Sequence, residues 1–159
     1  MRLKNRKGAS SVVEFALILP LFLLLIFGVI DFGYYFFVQQ TLQFATREGV
    51  RLALTGRTLP TFNREASIIV CIMEKASVAS LDPARLHVYI YPVTADFKNP
   101  PDWSTMECGS AGPDVGGPGD YMRVKTTYAY KFLTPFIGPF FPGGEKTMEA
   151  QATYRNELF

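Results

Sequence analysis

The chain has 159 residues and a formal net charge of +2, a length that holds one small domain plus an accessory segment but not two ordinary domains. Four of its sixteen basic residues, Arg2, Lys4, Arg6 and Lys7, crowd the N-terminus, and the remaining twelve face fourteen acids, a balance of −2. That balance, with no basic stripe along the chain, excludes the electrostatic footprint of a nucleic-acid-binding protein.

The basic leader runs into Gly8 and Ala9, and Glu14 then stands at the mouth of an uncharged apolar run from Phe15 to Ile30. Apolar character resumes after Asp31 and continues through Val38. A membrane-spanning helix needs about 20 mostly apolar residues, so Phe15 to Val38 suffices with some tilt. The positive leader predicts a cytoplasmic N-terminus and a C-terminal domain on the other side of the membrane. A cleaved secretory signal, releasing a soluble domain, is the competing reading. It requires a shorter apolar core and a small-residue cleavage site, where this chain has the bulky Tyr34 to Val38.

A carboxylate buried in lipid is costly unless paired, and Glu14 therefore reads as functional. A peptidase cut after Gly8 or Ala9 would create an α-amine, charged at neutral pH, within reach of it. The plain alternative is a helix-end charge tolerated near the headgroups. Pro20 either kinks the helix or is accommodated by neighbouring helices. Asp31 lies about 26 Å beyond Glu14 along a helix, close to the hydrocarbon thickness. It reads equally as a solvated interfacial acid and as a partner contact, with Tyr34 and Tyr35 in an aromatic belt beyond it.

The helix is expected to continue past the membrane as a spine over residues 39–56. Tyr35, Val38, Leu42, Ala45, Gly49 and Leu52 follow the 3,4 spacing of a seam, which would pack on its own domain or on neighbouring subunits. Gly56 and Pro60 mark the stop. A second helix is predicted over 60–77, with Phe62, Ala66, Ile69, Met73 and Ala76 on its apolar face. Strands are predicted over 86–92, 121–132 and 146–155. A polar loop from Thr94 to Gly119 and an apolar Pro/Gly loop from Leu133 to Gly144 connect them. The expected fold class is α+β, a small antiparallel sheet of about three strands packed on a long N-terminal helix.

Cys71 and Cys108 form an even pair in a domain expected outside the cytoplasm, where a disulfide is permitted. Closing that loop would be worth about 4 kcal/mol in the chain-entropy model. The alternative is one thiol buried in the helix and one in the loop. Two cysteines and the single His87 do not make a zinc site, and His87 reads as an ordinary strand residue with no catalytic triad around it. The glycine-rich run before Asp120 lacks the Lys-Ser/Thr and the helix of a phosphate cradle. Asp102, Glu107, Asp114 and Asp120 fit no calcium-loop spacing. Trp103 is expected as a lid over the core or an exposed contact. No cofactor, metal or small-molecule substrate is implied.

The run from Lys7 through Gly8, Ala9, Glu14, Phe15 and Pro20, continued by Gly28, Asp31-Phe32-Gly33, Gln40, Ala45 and Arg47 to Arg51, resembles the start of the TadE-like family. These are minor pilins or pseudopilins of the tight-adherence pilus, a branch of the type IV pilus machinery. The resemblance implies a bacterial inner-membrane subunit cut at the cytoplasmic face by a prepilin peptidase of the aspartyl type. Its partners would be other pilin subunits and tight-adherence assembly proteins, and its functions pilus assembly, adhesion and biofilm formation. A cut after Gly8 makes Glu14 the sixth residue of the mature chain. A cut after Ala9 makes it the fifth, the usual family position. The domain reading is then a cleaved leader over 1–8, an assembly helix over 9–38 and an extracytoplasmic domain over 39–159. The rivals are an unprocessed membrane scaffold of the same apparatus and a membrane-anchored outer-face enzyme.

Overall fold

The helix signalled by the apolar run extends from Arg6 to Leu54 (α1) in the computed structural model, which describes residues 6–94, 96–109, 114–134 and 137–157. A second helix, α2 (Arg64–Ala76), and three strands follow, β1 (Leu86–Pro92), β2 (Tyr121–Lys131) and β3 (Glu145–Arg155), in the sheet order β1-β2-β3. The fold is α+β, with a three-stranded antiparallel sheet. The chain divides into two units: Met1–Tyr35 with Lys131–Glu145, and Phe36–Tyr130 with Lys146–Phe159.

In the second unit, α1 supplies the core through the seam that its spacing announces. Val38, Leu42, Ala45 and Gly49 are buried, and so are Thr41, Thr46 and Ala53. The seam therefore packs within its own chain. Thr46 sits at the meeting of α1 and the sheet, its hydroxyl donating to the Leu42 carbonyl at 2.8 Å and sharing a short hydrogen bond with Thr126.

α1 ends where its last carbonyls find other donors. Gly56, at φ 64°, turns its amide back onto the Ala53 carbonyl at 3.2 Å. Arg64 donates to the same carbonyl at 2.8 Å, and the Glu157 amide donates to Leu54 at 3.2 Å.

α2 starts at Arg64, four residues later than the sequence pattern suggests. Thr61 takes a positive φ of 71°, and Asn63 caps the helix by accepting from the Ala66 amide at 2.7 Å. Its buried face is Ser67, Ile68, Ile72 and Ala76, not the expected Phe62, Ala66, Ile69 and Met73. The cause lies in α1. A Cβ at Gly49 would meet Ile72 Cγ1 at 2.5 Å, so the missing side chain is the notch that takes Ile72.

β1 and β2 pair in register from Leu86 opposite Tyr128 to Pro92 opposite Met122. This places Leu86, Val88, Ile90, Val124, Thr126 and Tyr128 on one buried face. Filling the Gly49 notch should overpack this core. Gly49→Val is expected to lower stability by about 1–3 kcal/mol, and Gly49→Val with Ile72→Ala to recover much of the loss in denaturant midpoints.

Candidate functional site

From Val12 to Ile30, α1 presents large apolar side chains outward, with Phe15 63% and Leu17 74% exposed. Burying each such side chain is worth about 1.5–3 kcal/mol, so the stretch calls for an apolar surrounding. It is long and apolar enough to cross a membrane. Glu14 is exposed at its start. Gly8 and Ala9 lie in the first turns of α1. Pro20 sits inside the helix and removes one backbone donor from it. Beside it, Leu19, Leu23, Leu24 and Phe27 line an apolar groove of about 330 Å³.

Asp31 is neither solvated nor turned toward a partner. Its carboxylate is fully buried and accepts three hydrogen bonds from the Pro/Gly loop. These come from the Leu133 amide at 2.9 Å, the Thr134 amide at 3.1 Å and the Thr134 hydroxyl at 2.5 Å. A buried carboxylate is tolerated when donors of this kind surround it. Tyr35 and Phe141 both stack on Phe132, with ring centroids 6.3 and 4.6 Å away, and so hold the loop's base beside the helix. Sequence reasoning missed this clamp, whose partners lie about a hundred residues apart.

A second site missed in the sequence is the other face of the sheet, in the second unit. Arg123 and Lys125 alternate along β2 with the core residues Met122, Val124 and Thr126, yet they are only 8% and 5% exposed. The loop after β1 covers them. Trp103 lies over the Lys125 ammonium at 3.7 Å and packs edge-on to Tyr89 at 5.1 Å. Lys125 also pairs with Glu149 at 2.9 Å. Arg123 donates to Asn99 at 2.5 Å, to the Phe97 carbonyl at 2.8 Å and to Thr153 at 2.8 Å. Trp103 is thus a lid, but over the cationic face of the sheet and not over the apolar core.

The same loop runs along β1, where Cys108 donates its amide to the Val88 carbonyl at 2.8 Å. His87 contacts Glu107 at 2.5 Å. Asp114 and Asp120 accept from the Gly116 and Gly117 amides and so serve turns. Gly112 and Pro113 of the glycine-rich run lie outside the described residues.

The expected disulfide is not formed, and Cys71 and Cys108 are both free. Their surroundings differ. Cys71 lines a cleft with Glu48, Arg51, Glu74 and Lys75, whereas Cys108 is influenced by Glu65 and Glu107 and held along β1. Burial raises the pKa of Cys71, and burial followed by the charges of Glu65 and Glu107 pushes that of Cys108 to about 12. Burial likewise pushes Tyr154 to about 12.

Among the described residues, fold and site together define an α+β protein with one apolar N-terminal helix that fits a membrane anchor. Residues 8–51, most of α1, are similar to the family model described as TadE-like protein. No curated protein and no solved structure matches the chain significantly.

Two outcomes follow from this geometry. Asp31→Ala leaves the Leu133 and Thr134 amides without their acceptor, at a cost of about 1–3 kcal/mol. Hydrogen exchange at those two amides should accelerate roughly tenfold while the β2 amides from Met122 to Tyr128 stay protected.

The second concerns alkaline pH. A thiol with a folded pKa above its ordinary 9.0 contributes stability that is intact below pH 9 and is lost as pH rises toward about 12. Unfolding curves should therefore show declining stability across that window, with a shallower decline in Cys108→Ala.

Proposed function

We propose that the chain is a minor pilin or pseudopilin of a tight-adherence (Flp-type) pilus. In this reading α1 anchors it in the bacterial inner membrane, with the N-terminus cytoplasmic and the C-terminal domain outside. A prepilin peptidase cuts after Gly8 or Ala9. The subunit then joins other pilins and tight-adherence assembly proteins, and so contributes to pilus assembly, adhesion and biofilm formation. The observation that carries the reading is the TadE-like match over residues 8–51, which spans the leader junction, Glu14 and the whole apolar run.

Each part has a physical role. The leader's cations hold the N-terminus at the anionic cytoplasmic leaflet, at about 1 kcal/mol each. Removing the leader lowers the barrier to extraction and leaves a charged α-amine near Glu14. Glu14 pairs with such an amine, and this pairing sets the axial register of neighbouring helices. The exposed apolar face supplies the contact area in lipid, where association depends on packing and polar pairing.

A rival reading, an unprocessed membrane scaffold of the same apparatus, draws on one observation: Gly8 and Ala9 sit in helical backbone. Peptidases take extended substrates. Fraying a helix end costs almost nothing, however, so the helical start is compatible with cutting.

Glu14→Ala should leave the membrane-inserted amount unchanged. Filament-associated chain should fall by roughly a hundredfold or more, because breaking a buried charge pair costs about 3–5 kcal/mol. Quantifying the chain in sheared filaments against membranes checks this, and undiminished incorporation would contradict the assembly role of Glu14.

A further inference from the structure

We propose that the Pro/Gly loop clamped by Asp31 is a second membrane contact, seated at the lipid headgroup–acyl boundary of the outer leaflet. The inference rests on the reading of α1 as an anchor and adds a second element to it.

Three observations within the first unit converge on this partner. From Phe132 to Gly144 no residue is charged, while Lys131, Glu145 and Lys146 flank the run. Leu133 is 60% and Phe140 84% exposed, in a loop hydrogen-bonded to a helix whose own Val29, Ile30 and Phe32 are exposed apolar residues. Loop and helix thus both expose apolar side chains close in sequence to the residues of the Asp31 clamp.

The third observation is how the loop treats its backbone. Away from water an unpaired amide is costly, so irregular backbone rarely meets lipid. Here Asp31 takes the Leu133 and Thr134 amides. Two tight turns, Gly138–Phe140 and Pro142–Gly144, satisfy three more. In them Phe140 donates to Ile137 at 3.1 Å, Phe141 to Gly138 at 3.0 Å and Gly144 to Phe141 at 2.9 Å. Pro139 and Pro142 have no amide to satisfy. Asp31 lies about 26 Å along the helix from Glu14, which sets the loop at one edge of the hydrocarbon layer and not at its centre.

The test uses the full chain in phosphatidylcholine nanodiscs doped with lipids brominated either near the carbonyls or near the chain ends. Phe140→Trp places an indole at the loop tip, Leu24→Trp places one in the helix as a control, and the parent chain with Trp103 alone sets the background. The expected result for Phe140→Trp is a blue-shifted emission that loses more intensity to the shallow bromines than to the deep ones. For Leu24→Trp the deep bromines should quench more.

Water-like, unquenched emission from Phe140→Trp beside a quenched Leu24→Trp would overturn the loop contact and leave the anchor standing. A blue shift that appears only at high protein-to-lipid ratio, without bromine quenching, would assign the loop to a second copy instead and equally overturn it. Failure of both indoles to be quenched would remove the anchor reading itself.

Discussion

The constraint on which the rest of this structure depends is that one helix must satisfy two solvents. From Val12 to Ile30 α1 exposes apolar side chains that water does not tolerate, and from Val38 to Ala53 it is the core of a small α+β unit. Each stretch has its own way of handling polar groups. In the apolar stretch the single carboxylate beyond Glu14, Asp31, receives three donors from one loop. At the end of the core stretch the freed carbonyls of Ala53 and Leu54 receive donors from Gly56, Arg64 and Glu157. Neither set is decorative, because a buried polar group left unpaired costs about 1–3 kcal/mol, more than the roughly 1 kcal/mol a typical hydrogen bond contributes.

The unit beginning at Phe36 repeats this economy in its sheet. A three-stranded sheet has too little area to leave one face bare, and β2 is buried on both faces for most of its length. One face meets α1 through Thr46 and Thr126. The other is covered by a loop without regular strands, held by Trp103 on Lys125 and by Asn99 and Phe97 on Arg123. Placing two cations beneath a loop is tolerable because each keeps a full set of acceptors or a ring face. Asn156 serves the neighbouring turn in the same way, donating to the Val115 and Gly117 carbonyls at 3.2 and 2.8 Å.

Much of the architecture was legible from spacing alone. The apolar run, the 3,4 seam through Val38, Leu42, Ala45 and Gly49, and the three strands each appear where the pattern puts them. The failures share a physical cause: the deciding partner was remote in sequence. α2 is apolar around most of its girth from Ile68 to Met73, so periodicity could not select a face, and the notch at Gly49 did. Arg123 and Lys125 alternate like solvent-facing residues because nothing local announces the loop that covers them. Asp31 was ambiguous for the same reason. The cysteine pair misled through parity, since an even count says nothing of whether two thiols meet.

The functional reading rests on the leader junction and the apolar helix, and it makes one claim that chemistry at the N-terminus decides. The most direct measurement is the N-terminal residue and intact mass of the native protein, recovered with and without reduction from a host that has its peptidase. A mature chain starting at Ala9 or Ser10, with a mass lowered by the leader, is the predicted result and would fix Glu14 as the sixth or fifth residue. A chain that keeps Met1 and its full mass would contradict processing and leave an unprocessed membrane scaffold in its place.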